Sequence, residues 1–247
     1  MGKEINGKKA VIVGASSGIG LALARLMADE GWTLGLAARR TTPLEELAAG
    51  YPGRVRTAAL DVTSADADAA LLQLIESMGG IDVYVHVAGV GWQNHSLDAD
   101  KELKTVDTNA AGFARLIGAV YRHFASCGGG HIVAVTSIAG TKGLGAAPAY
   151  SATKAFGSTY IEALRQQAFM RGLSIDLTDI RPGFVRTALL ADGHRYPMQM
   201  DADRVARSIL RAILRRRRVR VIDWRYRILT ALWRLIPSCL WSRLKIG

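Results

Sequence analysis

Six short apolar runs recur along this chain at about the spacing of one strand-plus-helix unit: AVIV at 10–13, TLGLAA at 33–38, VRTAAL at 55–60, DVYVHV at 82–87, HIVAV at 131–135 and SIDLTDI at 174–180. Between them lie segments with a 3.6-residue apolar period, such as LALARLMADEG at 21–31, ADADAALLQLIESMG at 65–79 and FARLIGAVYRHF at 113–124. This alternation leaves few architectures. Parallel strands need a crossover long enough to hold a helix, and right-handed crossovers lay those helices on both faces of the sheet. The expected fold is therefore α/β, a doubly wound, mostly parallel sheet of the Rossmann type. At 247 residues, 49% apolar and 21% charged, the chain has material for one well-filled core and is not a disordered polymer. It shows neither an internal repeat nor a linker.

The most uniform helical segment, AYSATKAFGSTYIEALRQQAFMRG, spans about Ala149 to Gly172, with Gly172 as its stop. Pro182 and Gly183 in RPGFVRT impose a turn, residues 201–216 read as a helix entered at Asp201, and VRVID at 219–223 as a last short strand. Residues 1–223 form one domain in this reading, and 224–247 a basic, amphipathic C-terminal tail. Cys127 and Cys239 lie far apart with no metal-ligand spacing around them, so a reducing cytosol is expected. Lys3, Lys8 and Lys9 precede an apolar run too short for a signal peptide. No run of 18 apolar residues predicts a spanning helix.

Gly14, Gly18 and Gly20 stand as G-x-x-x-G-x-G directly between the strand KKAVIV and a helix from residue 19, with Ser16, Ser17 and Ile19 in the same turn. Glycines there let the chain turn sharply and bring backbone N–H groups and a helix N-terminus up to a pyrophosphate. The spacing alone is weak, since 26 glycines make coincidence easy, but a strand–turn–helix setting makes it specific. A tight turn with no ligand is the bland alternative. After the second strand, where an acid would hold a ribose 2′-hydroxyl, the sequence reads LAARR. Arg39 and Arg40 suit a 2′-phosphate, which favours NADP(H) over NAD(H), unless they are merely solvated. Asp61, ending the third strand, either borders the adenine pocket or caps the next helix.

Tyr150 and Lys154 are four residues apart on the long helix, so their side chains rise from one face. A phenol is a poor base at neutral pH, and a neighbouring ammonium favours its phenolate. Ser137, 13 residues earlier, ends the strand HIVAVTS at the carboxyl edge of the sheet, where ligands of such folds bind. Without Ser137 the Tyr–Lys pair would read equally well as a surface pair.

GASSGIG at 14–20, Asp61-Val62, Asn109 in DTNAAG, Ser137 in TSIAG, YSATK at 150–154 and PGFVRT at 182–187 together resemble the short-chain dehydrogenase/reductase family, in that family's order, from about residue 8 to 190. The resemblance implies an oxidoreductase acting on a CH–OH/C=O pair. In it Tyr150 protonates the carbonyl oxygen as hydride arrives and Ser137 holds that oxygen. Lys154 binds the nicotinamide ribose and lowers the tyrosine pKa, while Asn109 fixes a water in a proton relay. The Ala88-Gly89 pair passes the ribose, and Pro182, Gly183, the backbone around Val185 and Thr187 hold the nicotinamide end. One departure is His86-Val87 where the family usually carries Asn-Asn; His86 reads as a hydrogen-bonded structural residue. The resemblance also implies a homodimer or homotetramer.

Substrate choice falls to the segments 89–97, with Val90, Trp92 and His95, and 188–200, with Leu189, Leu190, His194, Tyr196, Met198 and Met200. This largely apolar set points to a hydrophobic ketone or alcohol. Twelve of the 32 Lys and Arg lie in residues 207–247, where Asp223 is the only acid, so the net charge of +11 belongs to that end. In WRYRILTALWRLIPSCLWSRLKIG, residues Ile228, Leu229, Leu232, Trp233, Leu235 and Ile236 recur at helical spacing up to a kink near Pro237. The segment suits an anionic membrane surface, which would make the protein peripheral on a cytoplasmic face and its substrate lipid-like: a steroid, a 3-keto sphingoid base or a fatty acyl chain. Subunit or lid packing is the second reading of the segment, and nucleic acid the least favoured partner for its arginines. Two other functions stay open: a non-catalytic NADP(H)-binding sensor and a nucleic-acid binder.

Overall fold

The computed structural model describes residues 8–187 and 196–244. Lys3, Leu189, Leu190 and His194, singled out above, lie outside them. A seven-stranded parallel sheet has the order β3-β2-β1-β4-β5-β6-β9, formed by β1 (Lys9–Val13), β2 (Thr33–Ala38), β3 (Val55–Ala59), β4 (Val83–His86), β5 (Gly130–Val135), β6 (Ile175–Arg181) and β9 (Val219–Val221). Helices α1 (Gly18–Asp29), α2 (Thr42–Ala49) and α7 (Ala202–Leu214) cover one face, and α3 (Ala67–Ser77), α5 (Phe113–Ser126) and α6 (Pro148–Met170) the other. The protein is thus the doubly wound Rossmann-type α/β fold that the alternation predicts.

Strand residues sort between the two helix layers by their period of two. On β1, Ala10 and Ile12 enter the core under α1 and α7, whereas Val11 and Val13 enter the one under α3 and α5. On β5, Val133 and Val135 go one way and Ile132 and Ala134 the other. Both faces being covered, every strand position from Ala10 to Val13 is fully buried, which is why these strands read as unbroken apolar runs. Each such Val or Ile contributes about 1.5–3 kcal/mol on burial.

The chain order reverses between β1 and β4. β2 and β3 lie to one side of β1, and β4, β5, β6 and β9 to the other, so a crevice opens at the carboxyl ends of β1 and β4. Short elements decorate this edge: α4 (Ala99–Val106), a π-helical turn at 107–112, a 3₁₀ turn at 138–141, and a two-residue parallel pair of β7 (Val185–Arg186) with β8 (Met200–Asp201). Met200, offered above as a substrate contact, instead belongs to the core beside Val185. The C-terminal segment forms α8 (Trp224–Leu235) and α9 (Ser238–Trp241), separated at Pro237. Asp223 initiates α8 with a positive φ of 74°, and its carboxylate accepts from the Arg225 backbone N–H and pairs with Arg204 and Arg225. Tyr226, in the first turn of α8, is fully buried in the same core as α1 and α7.

Two buried imidazoles give the fold a pH dependence. His131 on β5 meets the Thr178 hydroxyl at 2.8 Å, and burial lowers its pKa to about 4. His86 on β4 meets the Tyr84 hydroxyl at 2.9 Å; burial, with the Lys154 charge adding to it, lowers its pKa to about 3. Unfolded histidine titrates near 6.5, so the unfolded chain binds more protons below that pH. The stabilisation is complete above about pH 6.5 and is lost as the pH falls through 4 and then 3. The melting temperature should therefore fall steadily between about pH 6.5 and 4, and His131→Gln should flatten that slope. Thermal unfolding followed by circular dichroism reads this directly, and a pH-independent midpoint would contradict it.

Candidate active site

A cleft of about 530 Å³ occupies the crevice between β1 and β4. Its walls include Gly14, Ser16, Ser17, Gly18 and Ile19 from the first turn, Arg39 and Arg40 after β2, Asp61 and Val62 after β3, Ala88 and Gly89 after β4, and Thr187. Gly14 has φ 90°, and a Cβ there would lie 2.5 Å from the Ala88 nitrogen. Gly18, at φ 53°, comes close enough to Thr187 that a Cβ would meet its Cγ2 at 2.9 Å. Gly20 is buried beneath the turn rather than in the cleft wall, where a Cβ would strike the Gly14 carbonyl. These glycines join three loops without side chains between them.

The same turn leaves α1 ready for an anion. Ser17 caps the helix without a side-chain hydrogen bond, and the first turn carries no acid. Its unsatisfied N–H groups and positive dipole end thus meet the cleft, which fits a pyrophosphate. Arg39 and Arg40, after β2, are exposed and line the crevice. Asp61 accepts from the Thr63 N–H at 2.9 Å and the Thr63 hydroxyl at 2.7 Å; these bonds, and the nearby Arg39, hold its carboxyl below the usual range. It folds its own turn and lines the cleft. It does not cap α3, which Asp66 precedes.

Ser137, Tyr150 and Lys154 converge. Ser137 follows β5 in an extended conformation, and its hydroxyl accepts from the Ala139 N–H at 3.1 Å. Tyr150 sits in the first turn of α6, which begins at Pro148, a residue suited to a helix start. Burial pushes the Tyr150 phenol above its ordinary value, the reverse of the lowering by Lys154 that the resemblance implies, and only the Ser137 hydroxyl opposes it. Lys154 lies one turn later with its ammonium 5.7 Å from the Tyr150 ring centre and donating to the Val135 carbonyl at 3.1 Å. Burial lowers its pKa to about 8, and the Asp179 carboxylate opposes that shift. Asp179 is itself buried, accepting from Thr136 at 2.5 Å and pairing with Arg181 at 2.7 Å.

Asn109 occupies the π-helical turn between α4 and α5, a local widening that turns one side chain inward. It accepts from the Val90 N–H at 2.9 Å and donates to the Val90 carbonyl at 2.7 Å, closing the loop after β4 beside Gly89. A Cβ on Gly89 would lie 3.2 Å from Asn109 Oδ1 and 3.4 Å from Lys154 Nζ, so amide, ammonium and loop share one small space. Pro182, Gly183 and Val185 stand behind the cleft: the Pro182 carbonyl accepts from Ile138, and Gly183 packs against the Tyr226 ring, where a Cβ would come within 2.1 Å. Trp92 is partly exposed near the mouth, and His95 is exposed. Tyr196 packs at a tilt on the Phe184 ring, 4.7 Å between centres, and accepts from Gln93 at 3.2 Å, joining the 89–97 loop to the segment before β8.

Some positioning residues escape a reading of the sequence. Glu102 on α4 accepts from the Ala149 N–H at 3.2 Å and from Asn94 at 2.8 Å, tying the start of α6 to the 89–97 loop. Gly91 faces the Tyr150 ring, where a Cβ would come within 2.4 Å. These partners are 8 to 59 residues apart in sequence, and no local pattern joins them. His86, in contrast, is the hydrogen-bonded residue expected through its Nδ1, while its buried Nε2 has no partner among the described residues.

A parallel α/β sheet with a dinucleotide-shaped crevice at its reversal point and a serine–tyrosine–lysine group beside it defines a class of nicotinamide-dependent oxidoreductases. The chain belongs to the short-chain dehydrogenase family, whose model, described as short chain dehydrogenase, matches residues 8–195. It is 34% identical over 248 residues to an uncharacterized oxidoreductase of Myxococcus xanthus, covering 97% of this chain and 96% of that one. An uncharacterized oxidoreductase of Listeria monocytogenes is 36% identical over 193 residues, covering 75% of this chain and 77% of its own length. Among solved structures, a short-chain dehydrogenase from Streptomyces avermitilis superposes with a TM-score of 0.80 at 25% identity, over 92% of each chain.

Proposed function

We propose that the protein is an NADP(H)-dependent oxidoreductase interconverting a ketone and a secondary alcohol on a hydrophobic substrate, with Tyr150 as the acid and base. One observation carries this reading: the buried Tyr150 phenol feels the Ser137 hydroxyl and its ring lies 5.7 Å from the Lys154 ammonium, beside the cleft that the glycine turn opens. Bound nicotinamide would supply or accept the hydride. The protein's part is the proton. Ser137 orients the substrate oxygen against the Tyr150 hydroxyl, Tyr150 gives its proton to that oxygen in reduction and takes one in oxidation, and Lys154 stabilises the phenolate left behind. Asn109, by holding the Val90 backbone, keeps the floor of the site fixed and leaves the Lys154 ammonium beside a polar amide for proton return.

Apolar and aromatic side chains at the entrance, Trp92 and the Phe184–Tyr196 pair, support a hydrophobic ketone. Arg39 and Arg40, with no acid at the end of β2, support NADP(H). A panel of hydrophobic ketones and secondary alcohols, followed by nicotinamide absorbance with each cofactor, tests the whole. Turnover should be faster with the phosphorylated cofactor. Replacing both arginines by alanine should weaken NADPH binding about 10²- to 10⁴-fold in fluorescence titration and leave NADH within about threefold, since each charge-assisted bond contributes about 1.5–3 kcal/mol. Equal losses for both cofactors would remove the arginines from this role.

A further inference from the structure

The C-terminal helices carry a face that the reaction does not use. On α8, Tyr226 and Thr230 are buried, with Leu229 and Trp233 half-buried on the same side, so that face packs on the body. Trp224, Ile228, Leu232 and Leu235 recur at the helical period on another face and are 66%, 50%, 55% and 77% exposed. Leu240, just beyond the Pro237 corner, is exposed too. Six apolar-period residues named in the sequence thus divide: Leu229 and Trp233 turn toward the body, Ile236 ends the helix, and the rest stay uncovered.

Arginines border this stripe. At 3.6 residues per turn, Arg227 and Arg234 flank it on one side and Arg225 on the other. Arg225 is occupied by Asp223, the only acid after residue 206. Among the described residues Arg215, Arg217, Arg218, Arg220, Arg227 and Arg234 are exposed and in no ion pair. An apolar stripe edged by unpaired cations is the arrangement that an anionic bilayer interface complements: acyl chains meet the stripe, and headgroup phosphates the guanidiniums. A second copy of the chain would have to supply carboxylates against those arginines, and the one acid of this region, Asp223, is already paired with Arg204 and Arg225.

The same helices are fastened to the catalytic entrance. Trp241 donates to the Gly143 carbonyl at 2.7 Å and Lys142 to the Ile236 carbonyl at 2.9 Å, on the loop between Ser137 and Tyr150. The Tyr226 hydroxyl donates to the Pro197 carbonyl at 2.9 Å, on the segment that carries Tyr196. We propose that α8 and α9 dock the protein peripherally on an anionic lipid surface, holding the mouth of the cleft against it. No helix of the described residues is long and apolar enough to cross a membrane, so docking is in the plane. The consequence for substrate, a ketone dissolved in the bilayer, rests on the oxidoreductase reading above; the docking does not.

Flotation of the full chain with vesicles tests it. Phosphatidylcholine vesicles containing phosphatidylglycerol should bind it at least about tenfold more tightly than phosphatidylcholine alone, as two unpaired arginines imply. Replacing Trp224, Ile228, Leu232 and Leu235 by serine should reduce binding about a hundredfold or more. Exchanging Arg227 and Arg234 for glutamine should cost about fivefold each on anionic vesicles and nothing on neutral ones. The serine variant should keep its melting temperature and its turnover of a water-soluble ketone, and lose turnover of a vesicle-dissolved one. Failure to float, or flotation that the serine variant retains, overturns the proposal. So does a serine variant that sediments as a smaller species, which would assign the stripe to a sister subunit, or tight nucleic-acid binding without vesicle binding. A chain that floats and reduces no ketone would leave the docking standing and refute the reaction.

Discussion

Replacing Tyr150 by phenylalanine should lower kcat about 10³- to 10⁴-fold while NADPH affinity stays within about twofold. The change removes one oxygen and keeps the ring that fills the space above Gly91, so neither the start of α6 nor the glycine turn has reason to move. What disappears is the proton carrier. Because burial raises the phenol's pKa and only the Ser137 bond opposes this, the hydroxyl is protonated throughout the neutral range in the free protein. Reduction should therefore hold level with rising pH and decline only when the phenol ionises, whereas oxidation, which needs the phenolate, should rise. Ser137→Ala should cost about 10²-fold, and adding it to Tyr150→Phe should cost little more, since the two groups act on one oxygen. Steady-state rates with a fluorescence titration of cofactor decide this. A Tyr150→Phe rate within tenfold of the parent would mean that another group delivers the proton.

Lys154→Met should separate activity from stability in opposite directions. Turnover should fall about 10²-fold or more, as the phenolate loses its cation. The fold should gain. The ammonium's pKa is lowered to about 8 by burial, well below its unfolded value near 10.4. A depressed pKa means that the stabilising contribution is complete only above the unfolded value and is lost as the pH falls through 8; at neutral pH the buried charge is a net cost. Methionine fills similar volume without charge, though it leaves the Val135 carbonyl without its donor. The balance is about 1–2 kcal/mol in the variant's favour, a rise of roughly 3–6 °C in Tm at pH 7. Near pH 10 that advantage should vanish. A destabilised variant at neutral pH would show that the ammonium is held by more than the contacts described.

All seven sheet strands, their parallel pairing and the long catalytic helix are legible in the sequence, the first six strands because burial on both faces writes itself as apolar runs and the last, VRVID, as a short run after a helix. The boundaries of α6 differ from the expected ones by two residues or fewer. Other elements leave weaker traces. α4 is mostly polar, and its main signal is Asp98, whose carboxylate accepts from the Lys101 N–H as a cap. α2 is announced only by Thr42-Pro43 at its start. The π-helical turn around Asn109 inserts a single residue's worth of slack into a helix, which the apolar period does not register. Ser137, Tyr150, Lys154 and Asn109 are recognisable by residue type and order. Their supports, Glu102, Asn94 and Gly91, meet them across the fold, and the role of each is set by a neighbour far away in the chain. The tail's amphipathic character is readable, but which apolar residues face inward depends on the body it rests against.

The insertion of the Tyr226 ring against Gly183 has a practical and an evolutionary reading. Its hydroxyl donates to the Pro197 carbonyl at 2.9 Å and the Met198 carbonyl at 3.1 Å and accepts from the Phe184 N–H at 3.3 Å, so one side chain of α8 ties the residue before β7 to the segment before β8. Cutting the chain before it would slacken the doorway as well as remove the anchor, and a truncated protein would confuse the two losses. Gly183 and Tyr226 form a lock and key, and drift at either should be tolerated only when the other changes with it.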